Sequence, residues 1–202
     1  MNYYIIQNRQ MPWGDYGNML FEGLLTVVDK KYNPIDVHLI ERSGPYIPEI
    51  YKANATNLVV REDLKEVLLE NKISGIKRVL ETKINKLVDI DWQLWDVNDH
   101  PKEYPKDGEP YNYISKGKHD DNLLSNINYQ YFSLDIESQT GLIEFISEES
   151  DFVNFTHMRL KSEKVLFDIT NIGRRLLASE KFKELIEAKT NDCLRFIPLN
   201  NA

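Results

Sequence analysis

Hydrophobic and polar positions alternate in short runs over much of the chain. The runs are rich in Ile, Val, Leu, Tyr and Phe and are bounded by Gly, Pro and Asn, which is the pattern of β-strands. They predict strands at residues 3–7, 20–28, 37–41, 76–80, 129–136, 142–146, 152–160, 164–169 and 194–197. Pro45 and Pro48 interrupt the pattern and mark a connection.

Two segments change to a helical period. From residue 61 to 72, apolar positions 64, 67 and 68 fall on one helical face. Ser179 is a good N-cap for a second helix, whose apolar face would contain residues 182, 185 and 186. The sequence therefore predicts an α+β fold, with mostly antiparallel β-sheet and two or three helices.

These two helix-strand segments are related by an offset of 118 residues. At that offset Glu62 aligns with Glu180, and the apolar helix positions match in kind. The offset is compatible with an internal duplication, and equally with the general likeness of any two amphipathic helices that lead into strands. One departure is that Arg61 stands where the second segment has Ser179, so the first helix needs another partner for its terminal N–H groups.

The segment between these units has a different composition. Residues 89–121 contain nine acidic residues against four lysines and no arginine, and therefore carry −5 of the net charge of −7. Prolines and aromatic residues are frequent there, which predicts a long, ordered and functional excursion. We expect a single domain over residues 1–202, with two lobes, 1–88 and 122–202, as the possible subdivision.

Composition limits the classes of function. With 202 residues and 42% hydrophobic residues, the chain is expected to fold without disulfides, and one cysteine fits a reducing compartment. The negative net charge argues against nucleic-acid binding, since phosphates require clustered cations. No signal sequence and no apolar run of membrane-spanning length is recognisable, so a cytoplasmic protein without membrane contact is expected.

Candidate catalytic chemistry is sparse. The four histidines, at positions 38, 100, 119 and 157, have no metal-ligand spacing, and Cys193 lacks an adjacent base. No catalytic, metal or cofactor residues are therefore assigned, and no cofactor is expected. The alternative is a metal-dependent hydrolase that uses the acidic residues around Asp89, Asp91 and His119.

The acidic segment is better suited to binding a protein partner. Tyr and Trp provide large contact area at low entropic cost, and clustered carboxylates accelerate encounter with a basic partner. The contact residues predicted on this basis are Trp92, Trp95, Asp96, Asp99, Glu103, Tyr104, Asp107, Glu109 and Tyr111.

The C-terminal sequence adds a family resemblance. The stretches 176–186 and 194–199, a Ser-Glu helix start followed by a Phe-x-Pro strand, resemble the ending of a large bacterial family of immunity proteins from polymorphic toxin systems, formerly a domain of unknown function. The opening 3–6 also resembles that family, and residues 88–92 and 108–114 are compatible with it. The resemblance implies a non-enzymatic protein without a cofactor, which binds and neutralises a cognate toxin, and many such toxins are basic nucleases.

Overall fold

The computed structural model describes residues 2–11, 13–44, 46–89, 109–146, 151, 155–161 and 167–201. Over these residues the fold is α+β, as predicted. The helices are α1 Gly14–Glu22, α2 Glu62–Glu70, α3 Pro110–Lys116, α4 Asp121–Leu124 and α5 Glu180–Lys189. The strands are β1 Tyr3–Asn8, β2 Leu24–Val28, β3 Pro34–Ser43, β4 Ile50–Lys52, β5 Asn57–Arg61, β6 Ile76–Val88, β7 Tyr131–Ile136, β8 Ile143–Phe145, β9 Met158–Leu160, β10 Ile169–Ile172, β11 Arg175–Ser179, β12 Leu194–Pro198 and β13 Asn200–Asn201.

The strands form three sheets. A six-stranded sheet has the order β2-β3-β6-β7-β5-β4, in which only the β3–β6 pair is parallel. A four-stranded antiparallel sheet has the order β10-β11-β1-β12. The third sheet, β13-β9-β8, continues from the second, because only Leu199 separates β12 from β13. Antiparallel pairing therefore dominates, as the sequence predicts.

The two segments related by the offset of 118 residues have the same structure. The units β5-α2-β6 and β11-α5-β12 have the same architecture, and each holds a strand from elsewhere between its two strands. That strand is β7 in the first unit and β1 in the second. The registers agree as well, because Arg61 pairs with Tyr131, while Ser179, 118 residues after Arg61, pairs with Tyr3.

The correspondence extends over the remaining strands. In the first half β3 and then β2 lie beside β6, and in the second half β9 and then β8 lie beside β13. At the other side, β4 lies beside β5 in the first half and β10 lies beside β11 in the second. Read along the chain, the first half is β1 to β6 and the second is β7 to β13. Each half thus contributes its first strand to the centre of the other half's sheet, an arrangement that we call the strand exchange.

Two reciprocal contacts, which we call the clasps, join the halves. Asp168 Oδ2 accepts hydrogen bonds from the backbone N–H and the hydroxyl of Ser74, both at 2.9 Å, in the turn after α2. Glu49 Oε2 accepts one from Cys193 Sγ at 3.0 Å, in the turn after α5. In each case a carboxylate that directly precedes an edge strand, β10 for Asp168 and β4 for Glu49, accepts hydrogen bonds from the turn that follows the long helix of the other half.

The two long helices begin in different ways. The Ser179 hydroxyl oxygen accepts a hydrogen bond from the Phe182 N–H at 3.3 Å, so the predicted N-cap of α5 is confirmed. Helix α2 has no side-chain cap at Arg61, and the Glu62 N–H donates to the Gln130 carbonyl at 2.9 Å, just before β7. The residue that precedes the exchanged strand therefore supplies an acceptor for the start of the first helix.

Several predicted boundaries are wrong. The strand predicted at 20–28 begins only at Leu24, because residues 20–22 end α1. Gly14 and Gly17 give that helix low intrinsic propensity, but a Cβ at Gly17 would collide with Met11, so glycine permits close packing there. Helix α3 was missed because Pro110 looks like a breaker, although proline is well suited to the first turn of a helix.

Other strands differ in length. Strand β6 continues from the predicted 76–80 to Val88, since its first part pairs with β7 and residues 82–88 pair with β3. A strand was predicted at residues 152–160, and within the described part of that range only residues 158–160 form one. Residues 164–166 of the predicted strand 164–169 lie outside the described residues, and β10 begins at Ile169. Five helices are present in the described part of the chain, against the two or three predicted.

One large apolar core spans the two halves. It contains Leu58 and Ile40 from the six-stranded sheet together with Ile6 and Leu176 from the four-stranded sheet. Residues on either side of the predicted boundary between lobes 1–88 and 122–202 therefore share a core. The strand exchange has the same effect, because each of the two larger sheets draws strands from both halves.

Candidate functional site

Most predicted contact residues fall outside the described part of the chain. These are Trp92, Trp95, Asp96, Asp99, Glu103, Tyr104 and Asp107, and Asp91 of the hydrolase alternative is another. Of the predicted set, Glu109 and Tyr111 are described. Glu109 is the exposed N-cap residue of α3, and the side chain of Tyr111, in the first turn, is 56% exposed.

Helix α3 is fixed at its other end. Ile114 is fully buried, and Lys86 Nζ of β6 donates to the carbonyls of Ile114 and Ser115 at 3.1 and 2.9 Å. A lysine at this position satisfies two of the terminal carbonyls and complements the helix dipole. Gly117 then packs against Val88 so closely that a Cβ could not be added. The C-terminal end of α3 is thus held by β6, while its start is exposed.

Beyond α3 the chain forms an open concavity, which we call the acidic depression. It has a volume of about 600 Å³ and is lined by Val88, Asp89, Lys118, His119, Asp120, Asp121 and Asn122. Its backbone is held against the end of β6, because the Asp120 N–H donates to the Leu87 carbonyl at 2.9 Å. Three carboxylates and one lysine give the depression a negative charge.

The carboxylates of the depression have different roles. Asp120 Oδ1 caps α4 by accepting from the Asn122 and Leu123 N–H groups, at 2.8 and 3.4 Å. Asp89 and Asp121 are exposed to solvent. Two of the three carboxylates are therefore accessible to a cationic group of a partner, while the third maintains the local backbone.

The ring of His119 is fixed on both sides. Its Nδ1 accepts the Leu87 N–H at 3.0 Å, and its Nε2 lies 3.3 Å from Asp121 Oδ1. A histidine that acts as a base or metal ligand needs a ring nitrogen with a free lone pair, and here Nδ1 already accepts a backbone hydrogen bond. Over the described ranges, no three His, Cys, Asp or Glu side chains are grouped so that they could hold a metal ion.

The cysteine is buried in the clasp, with 1% of its surface exposed. Burial, followed by the hydrogen bond to Glu49, raises the pKa of Cys193 to about 11. Since thiolate is the reactive form, this thiol is unreactive at neutral pH. The sequence interpretation of Cys193 as an ordinary buried thiol agrees with this geometry.

A second concavity was not predicted from the sequence. It lies where β1 and β12 of one sheet approach β4 of the other, with α1 along its side. Its residues come from four separate segments and form no motif, so no local signal marks them. Only the pairing of distant strands brings them together.

Comparison with family models, curated proteins and solved structures finds no match to this chain. The resemblance to immunity proteins thus rests on the quoted residues alone. Among the described residues, no helix is both long enough and apolar enough to cross a membrane.

Proposed function

We propose that the protein is an immunity protein, which binds and neutralises a basic toxin domain through the acidic depression and the neighbouring start of α3. One observation carries this proposal: the accessible carboxylates of Asp89 and Asp121 surround a concavity, and β6 also holds the helix that presents Glu109 and Tyr111. Rigid attachment matters because a preorganised surface loses less entropy on binding.

Charge and chemistry fit a cationic partner. Residues 89–121 carry −5, so the attraction is concentrated on one segment of an otherwise nearly balanced chain. The electric field of a concentrated negative charge raises the rate of association with a basic partner. Carboxylates can also occupy the positions of phosphates in a nuclease active site. Exposed Tyr111, two residues after Glu109, supplies apolar contact area. The resemblance of the C-terminal segment to immunity proteins supports the same conclusion.

The test is co-expression with the product of the adjacent reading frame, followed by association kinetics. The triple variant Asp89→Asn, Glu109→Gln and Asp121→Asn should associate about tenfold more slowly at low salt and lose most of its salt dependence. Tyr111→Ala should act mainly on dissociation, because it removes contact area.

The matched control neutralises three exposed carboxylates elsewhere, Asp36→Asn, Glu66→Gln and Glu70→Gln. It should associate at the parental rate after correction for ionic strength. If both triple variants slow association equally, net charge rather than the proposed surface is responsible. If no complex forms and toxicity is unchanged by co-expression, the immunity function is wrong.

A metal-dependent hydrolase is the second candidate, because Asp89 and His119 line the same depression. A divalent cation that binds only the folded protein must raise its melting temperature. We expect no shift with Mg²⁺, Mn²⁺ or Zn²⁺, since metal binding through Nδ1 of His119 would break its hydrogen bond from Leu87. A shift that Asp89→Asn abolishes would favour the hydrolase.

A further inference from the structure

The second concavity, which we call the seam pocket, is a polar cavity of about 330 Å³. This volume is at the lower end of the range for small-molecule sites. The pocket shares no lining residue with the acidic depression. It is lined by Gln7, Asn8, Arg9, Gln10, Asn18, Glu22, Lys52 and Arg195.

A single carboxamide fixes the wall of the pocket. Asn8, at the end of β1, donates from Nδ2 to the Lys52 carbonyl at 2.8 Å and accepts the Lys52 N–H at Oδ1 at 2.6 Å. This pair of hydrogen bonds joins the last residue of β4 to β1. Of the three cations that line the pocket, Lys52 and Arg195 are on strands β4 and β12, and the Arg9 N–H donates to the Cys193 carbonyl at 3.0 Å. Each therefore has a fixed backbone, as a preformed site requires.

The pocket is cationic in a protein with a net charge of −7. Arg9, Lys52 and Arg195 face one carboxylate, that of Glu22. Over the described residues, the one ion pair made by these three cations joins Arg9 Nε to exposed Asp192 at 3.8 Å. Arg195 contacts the neutral Gln10 amide at 3.4 Å. Three cations therefore face one lining carboxylate and one exposed ion-pair partner, and the pocket keeps an excess of positive charge.

Burial increases the effect of these charges. Loss of solvent lowers the pKa of Lys52 and raises the pKa of Glu22, while each charge partly opposes the change in the other. Behind the wall lies fully buried Arg42, which donates to the carbonyls of Leu20, Phe21 and Glu22 at the end of α1. Because these acceptors are neutral, Arg42 adds another fixed positive charge beside the pocket.

We propose that the seam pocket binds a small oxoanion, a ligand with a phosphate or carboxylate group, through Arg9, Lys52 and Arg195. The ligand balances the excess of positive charge in the pocket, and it receives charge-assisted hydrogen bonds from two guanidinium groups and one ammonium group. The carboxamides of Gln10 and Asn18 and the carboxylate of Glu22 lie beside it and select for hydroxyl or amino groups next to the anionic centre.

The test is a titration followed by amide chemical shifts of the intact protein. Inorganic phosphate is one probe and malonate is the other, each at constant ionic strength against sodium chloride. With at least one probe, saturable shifts should appear at residues 7–10, 52 and 195. Saturation by phosphate alone identifies a phosphate site, and saturation by malonate alone identifies a carboxylate site.

Two variants test the assignment of residues. Arg195→Gln and Lys52→Met should each weaken the binding of the saturating probe by about tenfold or more, the loss expected for one charge-assisted hydrogen bond. Lys83→Gln removes an exposed cation from β6 and should leave the dissociation constant unchanged. Shifts that neither probe saturates, or equal weakening in all three variants, would overturn the proposal. No toxin is needed, so the result is independent of the immunity function.

Discussion

The seam between β1 and β4 and the seam between β7 and β10 occupy equivalent positions in the two halves, yet they are built differently. At the β7–β10 seam, the Asn171 N–H and the Thr170 hydroxyl both donate to the Glu137 carbonyl, at 2.7 and 2.9 Å. The backbones meet directly there. At the β1–β4 seam, the Asn8 side chain makes the connection, and a pocket with charged walls lies beside it.

The difference comes from an insertion. Nine-residue α1 stands between β1 and β2, whereas the described residues between β7 and β8 contain no helix. Helix α1 brings Asn18 and Glu22 to the seam, and Arg42 fixes its C-terminal end. A repeated frame thus provides two similar seams, and one local insertion converts one of them into a cavity.

The largest effect is expected from a test of how far the halves are equivalent. Gly75 aligns with Cys193, so the second half carries a side chain at this position. At Gly75, however, φ is +98°, and a Cβ would collide with the Ile169 carbonyl oxygen. Gly75→Ala should therefore lower the free energy of unfolding by about 3–5 kcal/mol, measured by urea denaturation.

Gly141→Ala is the matched control. Its φ of +76° is also positive, but a Cβ there meets nothing within 4 Å. Only the backbone conformation opposes the substitution, and we expect a loss of about 1 kcal/mol. Equal losses at both glycines would contradict the close approach of β10 to the α2–β6 turn.

The two clasps should fail at opposite ends of the pH scale. Burial alone would raise the pKa of Asp168, but hydrogen bonds from Ser74 and Lys181 outweigh it and hold that pKa below its ordinary value. This clasp is therefore complete above the unfolded-state pKa of Asp168 and is lost as the pH falls through the folded-state value. The pKa of Cys193 is raised to about 11, so its contribution is complete below its ordinary value near 9.0 and is lost as the pH rises toward 11.

Matched variants isolate each clasp. Asp168→Asn keeps a hydrogen-bond acceptor that does not titrate. It should therefore reduce the fall in the free energy of unfolding at acid pH. Cys193→Ser keeps a donor to Glu49 and should remove about 2 kcal/mol of the alkaline loss. Unfolding free energies from pH 3 to 11 check both. Identical curves for parent and variants would show that the clasps do not couple to pH.

The smallest effect is expected from a direct comparison of the two seams. Asn8→Ala removes two hydrogen bonds to Lys52, whereas Asn171→Ala removes one side-chain hydrogen bond, to the Ala55 carbonyl at 3.1 Å. Each hydrogen bond contributes about 1 kcal/mol, so Asn8→Ala should cost about 1 kcal/mol more in urea denaturation. The reverse order would mean that the β1–β4 seam does not depend on its carboxamide.

Local signals predicted local structure well. Ser179 was identified as an N-cap because its hydroxyl acts three residues away, and the helical face around Phe182 follows from a period of 3.6. Helices α1 and α3 were not predicted, and they share a property: Gly17 and Pro110 disfavour helices in isolation, but packing or position favours them here. A tertiary contact can override intrinsic propensity.

The strand exchange and the seam pocket have no local signal. Asn8 and Lys52 are 44 residues apart, and nothing in either segment specifies the other. Of the proposed contact surface, the acidic composition was visible in the sequence, whereas the fixed ring of His119 depends on pairing with the end of β6. Sequence patterns indicate which faces are buried, and they do not specify which distant strands meet.

The strand exchange also has a consequence for synthesis on the ribosome. Tyr3 pairs with Ser179, so β1 is translated long before β11 and β12, the strands that flank it. At typical elongation rates the interval is on the order of ten seconds or more. During that time a strand containing Ile5 and Ile6, which are buried in the finished protein, has both edges unpaired. Until the second half has been synthesised, β1 therefore offers unpaired apolar edges to other chains, and the strand exchange makes this interval the one in which aggregation is favoured.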